Sequence, residues 1–210
     1  VIVDEEQRFG VAQKELLRQM RLEVDVLALS ATPIPRTLHM SLAGIRDITV
    51  IETAPHGRRP IATHVGEYDE ALVKMAIERE LDRDGQVFIL HNRVETIDEA
   101  AAKIRQVVPQ ARVAVGHGQM SEKQLETVML GLMRRDFDVL VATTIIESGL
   151  DVPTANTLVI DRADMLGMSQ LYQIRGRVGR SDRSAHAYLF YPSARELSEE
   201  ARARLTTLSD

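Results

Sequence analysis

The chain has 210 residues, 44% of them hydrophobic and 27% charged, with 26 Lys and Arg against 31 Asp and Glu for a formal charge of -5. That composition suits one large or two small folded domains, and it excludes both disorder and attachment to nucleic acid through bulk positive charge. No apolar run approaches the ~18 residues needed to span a bilayer, and the lack of Cys excludes disulfides and thiolate metal sites, so a cytoplasmic location is the expectation.

The first predicted element is a strand at 1–4, VIVD, which runs directly into Asp4, Glu5 and Glu6. A buried parallel strand of this kind delivers charge to its C-terminal edge, where ligands bind in open α/β sheets. Beside a phosphate site, Asp4 would hold magnesium through water and Glu5 would orient or deprotonate the attacking water. A solvated turn fits the same triplet. A second strand, VDVLALS at 24–30, leads into SATPIPRT at 30–37. Ser30 and Thr32 lie on a loop stiffened by Pro33 and Pro35, which suits a relay from a phosphate site, and either hydroxyl could equally cap the helix after Pro35. DITVIET at 47–53 predicts a third strand.

TAPHGRRP at 53–60 combines two Pro, a Gly and two Arg, which predicts an extended connector and a domain boundary. Residues 1–52 then hold three strands at most, too few for a self-sufficient core, whereas 61–210 hold about five. Helices are predicted over 69–82, 95–107 and 121–134, the first capped by Asp69 and the third opened by a Ser121–Gln124 capping box. The strands at 86–91, 111–117, 138–143 and 156–161 are mostly hydrophobic on both faces. The fold class is therefore α/β, a parallel sheet with helices on both faces.

Two stretches of this second region carry candidate chemistry. Between strands, Thr143, Thr144, Glu147, Ser148 and Gly149 supply donors and a permissive backbone suited to a phosphodiester chain, and Asp151 could meet a ribose hydroxyl. Helix capping and a turn are the competing readings there. In QLYQIRGRVGR at 170–180, Arg175, Arg177 and Arg180 alternate with Gly176 and Gly179, so the backbone can come close while guanidiniums project toward an anion. Arg180 is placed like a finger that stabilises γ-phosphate charge, and a plain basic loop on nucleic-acid phosphates is the alternative.

DEEQ, SAT, VFILHNR at 87–93, ATTIIESGLDVP and QLYQIRGRVGR follow one another in the order of motifs II, III, IV, V and VI of superfamily 2 helicases and translocases. Nearly the whole chain resembles that family. SATPIPRTLHMSLAGIRDITVIET, ARVAVGHGQM and TTIIESGLDVPTANTLVIDRAD look like the motor of the bacterial transcription-repair coupling factors, with the branched-DNA helicases ranked second.

The resemblance implies RecA-like lobes: the C-terminal part of the first at 1–52, a linker at 53–60 and the complete second at 61–210. It implies ATP and magnesium as cofactors, with Asp4 at the metal, Glu5 on the attacking water, and Gln7 completing the DEEQ signature. Arg177 and Arg180 would reach the γ-phosphate, and Gly149, Asp151 and Gln173 would lie near the nucleotide. Ser30 and Thr32 would link hydrolysis to double-stranded DNA, with Thr143 and Thr144 on the DNA backbone and Asn92 and Arg93 as further contacts from motif IV. RNA polymerase and excision-repair proteins are implied as partners only through parts of the family outside these residues. The family's Gly-rich loop ending in Lys and Ser or Thr is expected before DEEQ and is absent from the 210 residues. The chain is therefore expected to be a piece of a motor, stopping near the family's helical hairpin and inactive alone. Two other classes remain as alternatives: a non-catalytic nucleic-acid-binding module, and a metal-dependent phosphoesterase using Asp4, Glu5 and Glu6, for which no further ligands stand out.

Overall fold

A computed structural model describes residues 1–4, 9–20, 24–29, 49, 51, 60–143, 155–179 and 183–209. The chain divides into two compact units, Val1–Glu52 and Thr53–Asp210. No helix of the described residues is long and apolar enough to cross a membrane.

In the first unit, β1 (Ile2–Asp4) and β2 (Leu27–Leu29) pair in parallel, with Asp4 opposite Leu29, and α1 (Val11–Met20) lies between them in sequence. Val3 is buried, as is Leu17 of α1. Both strands are shorter than the sequence predicted. Of the strand expected at 47–53, the structure describes only Thr49 and Ile51, and the rest lies outside the described residues.

The second unit is a six-stranded sheet in the order β3-β8-β7-β4-β6-β5, with every neighbouring pair parallel. Its strands are β3 (Ile61–Glu67), β4 (Gln86–Leu90), β5 (Val113–Gly116), β6 (Val139–Ala142), β7 (Ala155–Ile160) and β8 (Ala185–Tyr191). The central strands β4, β6 and β7 are buried at every residue, as their continuous apolar runs require once helices cover both faces.

Alternation along the strands divides the core. On one face α2 (Glu70–Leu81) and α3 (Ile97–Val107) pack Val73, Ile77, Ile97 and Ile104 against Val87, Ile89, Val141 and Val159. On the other, α4 (Glu122–Arg134), α5 (Met168–Arg175) and α6 (Glu199–Ser209) pack Leu132, Leu171, Ile174, Leu205 and Leu208 against Phe88, Leu90, Leu140, Leu158 and Ile160. The α/β class and the helices on both faces match the sequence reading. So do the caps: the Asp69 carboxylate accepts from the Ala71 and Leu72 amides, and Ser121 and Gln124 form the reciprocal box.

The count of strands needs correction, because β3 and β8 were not predicted. β3 is an edge strand after Pro60 whose sequence, IATHVGE, alternates half-buried and exposed residues instead of forming an apolar run. β8 reads AHAYLFY, which lacks Val, Ile and Thr but carries the strand-favouring Tyr188, Phe190 and Tyr191, and it is buried between β7 and β3.

Candidate functional site

Because all six strands are parallel, their C-terminal ends share one edge. There the backbone ladder continues past the strands: the His91 amide donates to the Ala142 carbonyl at 2.9 Å, and the Thr143 amide donates to the Gly116 carbonyl at 3.2 Å. Asn92 and Arg93, just beyond β4, thus lie along the same edge as Thr143, just beyond β6. Asn92 and Arg93 are exposed, and Thr143 is buried.

The nearby cations differ in what holds them. Lys103 pairs with Glu70 at 2.9 Å, an interaction that raises its pKa, and lies over the Tyr68 ring at 4.8 Å. Burial in turn raises the Tyr68 hydroxyl above its usual value despite the lysine. Arg162 grips both oxygens of Asp164, at 3.0 Å and 2.8 Å. Arg93, by contrast, has no carboxylate partner among the described residues.

Sequence reasoning gave no role to His91 and Asp161. Leu90 pairs with Ile160, so the next residue of each strand, His91 and Asp161, meets its counterpart across the ladder. His91 Nδ1 bonds Asp161 Oδ2, and His91 Nε2 lies 2.7 Å from the Thr96 hydroxyl oxygen. The only advance signal was position: each is the first polar residue after an apolar strand.

The arginine run lies elsewhere. Gln173 is on α5 and Arg177 is in the turn after it, both half-buried. The turn closes at Gly179, whose φ of +73° is left-handed and where a Cβ would stand 2.9 Å from the Ala185 side chain and 3.3 Å from Ile61 Cγ1. Only glycine fits both demands. Ile61 and Ala185 open β3 and β8, so Gly179 sits at the opposite sheet edge from Asn92, Arg93 and Thr143.

Arg175 corrects the expectation that the run's guanidiniums all project toward an anion. Its Nη1 donates to Thr63 Oγ1 at 3.4 Å and to the Leu208 carbonyl at 3.3 Å, and the guanidinium stacks 5.0 Å from the Tyr172 ring centre. It ties β3 to α6. Arg180, Glu5, Gln7, Ser30, Thr32, Thr144, Gly149 and Asp151 lie outside the described residues, as does the side chain of Asp4, which ends β1. Among the described residues no group of three His, Asp or Glu is placed to hold a metal ion.

An all-parallel sheet wrapped by helices, carrying this arginine run on a glycine turn, is the architecture of a helicase lobe, and the family model for the helicase conserved C-terminal domain matches residues 67–182. The chain belongs to that family. Over all 210 residues it is 56% identical to the transcription-repair-coupling factor of Bacillus subtilis (strain 168) and 54% identical to that of Staphylococcus epidermidis (strain ATCC 12228 / FDA PCI 1200). The chain spans 18% of the length of each of these relatives. Among solved structures it is similar to RecG bound to a three-way DNA junction, at 34% identity and a TM-score of 0.77, covering 100% of this chain and 27% of that one. The sheet is thus RecA-like.

Proposed function

We propose that the chain is part of the motor of an ATP-driven double-stranded DNA translocase that displaces stalled RNA polymerase and couples transcription to nucleotide excision repair. The observation that carries this reading is the 56% identity to a transcription-repair-coupling factor along the whole chain, which takes in all five motif stretches. Residues 1–52 would be the C-terminal part of the first RecA-like lobe, 53–60 the linker and 61–210 the second lobe. RNA polymerase and repair proteins would be engaged by parts of the protein beyond these residues.

ATP with magnesium would supply the phosphoryl chemistry. Asp4 would hold the metal ion and Glu5 would take the proton of the attacking water. Arg177, half-buried beside a glycine-closed turn, suits a phosphate, and with Arg180 it would neutralise charge developing on the γ-phosphoryl group. Gly149, Asp151 and Gln173 would contact the nucleotide. Ser30 and Thr32 would couple its state to DNA held by Asn92, Arg93, Thr143 and Thr144. The placement of Asn92, Arg93 and Thr143 at one sheet edge and of Gly179, which closes the turn after Arg177, at the other supports separate DNA and nucleotide surfaces on this lobe.

The test uses a protein of the relatives' length carrying this chain. Glu5→Gln should retain ATP binding and lose at least about 10²-fold in turnover, as when a general base is removed. Near-normal hydrolysis would refute the role. Arg180→Ala should reduce turnover with little change in nucleotide affinity, because the finger acts on transition-state charge. The likeness to RecG favours a second reading, the motor of a branched-DNA helicase. Unwinding of a three-way junction without displacement of stalled RNA polymerase would select it.

A further inference from the structure

β4 leads to α3 on one face of the sheet and on to β5 at one edge, whereas β7 leads to α5 on the other face and on to β8 in the opposite direction. Connections that diverge between adjacent strands leave a crevice at their C-terminal ends, the place where open α/β sheets receive ligands. His91 and Asp161 face each other across that divergence.

We propose that His91, clamped by Asp161 and Thr96, is a positioning residue for nucleic-acid binding, holding the 91–96 turn so that Arg93 and Asn92 meet phosphodiester oxygens over the crevice between β4 and β7. This rests on the nucleic-acid reading above and adds to it the residues that set the geometry of the contact.

Three observations carry the assignment. A carboxylate only accepts hydrogen bonds, so in the neutral imidazole Nδ1–H donates to Asp161, and Nε2 is left to accept from the Thr96 hydroxyl. Thr96 occupies the N-cap of α3 and yet makes no side-chain cap bond, so its hydroxyl serves His91 in place of the helix. Asp161 Oδ1 is buried and receives no donor, which leaves His91 as the one side chain bonding this carboxylate among the described residues. The two ends of the turn are thereby bonded to each other and, through Asp161, to the end of β7. Between them Asn92 and Arg93 are exposed, with Arg93 in extended conformation and without a carboxylate partner among the described residues. A guanidinium presented by a rigid turn loses less freedom on meeting a phosphate than one on a loose loop.

The experiment uses a protein of the relatives' length and measures ATP turnover against double-stranded DNA concentration for His91→Ala, Arg93→Ala and the double variant. His91→Ala should raise the half-saturating DNA concentration on the order of fivefold, the scale of one weakened charged contact, with turnover at saturating DNA little changed. On the Arg93→Ala background, the same change should add nothing, because residues acting through one contact are not additive. Full additivity, or reduced turnover with unchanged half-saturation, would overturn the positioning role. Thr96→Val, which removes only the hydroxyl, should shift half-saturation in the same direction by less. No shift in that variant would count against the clamp even if His91→Ala does not fold. Turnover of the unsubstituted protein that ignores DNA would instead overturn the nucleic-acid reading and the proposal with it.

Discussion

Glu80 is a carboxylate with no solvent exposure, and its surroundings explain how α2 tolerates it. Arg83 Nε donates to Oε2 at 2.9 Å, its Nη2 reaches Oε1, and the Thr157 hydroxyl of β7 donates to the same oxygen. Gly85 makes room: a Cβ there would stand 2.0 Å from Glu80 Oε2. Arg83→Ala would strand the buried carboxylate and should cost about 3 kcal/mol in urea unfolding, the low end for a broken buried pair because Arg83 keeps part of its exposure. A loss below 1 kcal/mol would mean that Thr157 and water suffice. His186, on β8 opposite Thr157, has its pKa lowered by burial and then by the positive charges of Arg79 and Arg83, with Glu80 opposing them. The unfolded chain therefore binds a proton at higher pH than the folded one. Its contribution to stability is present above the unfolded pKa of about 6.5 and is lost as pH falls through the lower folded value. Thermal midpoints compared from neutral to acidic pH should show a shallower decline for His186→Gln, and identical slopes would remove His186 from the pH dependence.

At the scale of elements, α2 starts where the Asp69 carboxylate takes two amides, and α4 ends where Arg135 turns left-handed with φ of 61°. Asp69→Ala should cost about 1 kcal/mol, since two amides of the first turn lose their acceptor. Arg135→Gly should stabilise by about 0.5 kcal/mol, because relief of the left-handed strain outweighs the added freedom of the unfolded chain. Denaturant midpoints at constant slope would check both, and a destabilised Arg135→Gly would show that the Arg135 side chain contributes more than its backbone conformation costs.

At the scale of the molecule, the unit from Thr53 to Asp210 has its own sheet, covered on both faces, whereas in the described part of Val1–Glu52 only two short strands pair. Residues 60–210 alone should therefore unfold cooperatively at the midpoint of the larger unit in the whole chain, and a broad transition by circular dichroism would show that residues 1–59 contribute to its core. The 210-residue polypeptide should hydrolyse no ATP above background, since no Gly-rich loop ending in Lys and Ser or Thr is present to position phosphates beside Asp4 and Glu5. Phosphate release with DNA and magnesium equal to that of a protein of the relatives' length would disprove that placement of the active site.

The sequence by itself determined the class of the fold, the central strands, three helices and the caps of two of them, and the family, because each is written locally. A continuous apolar run such as QVFIL, a Ser followed three residues later by Gln, or five ordered motif stretches needs no partner to be recognised. What only the tertiary structure decided are relations between distant residues. β8 takes its place between β7 and β3, and β3 is half-polar because it borders solvent. Arg175 belongs to a motif stretch, and yet its guanidinium goes to Thr63 and Leu208, which no spacing could reveal. His91 and Asp161 are 70 positions apart in sequence and meet because the parallel register sets Leu90 beside Ile160. Hydrophobic periodicity fixes which way a side chain faces along its own strand, while the choice of neighbouring strand is made by packing the whole sheet, and the candidate contacts at its two edges follow from that choice.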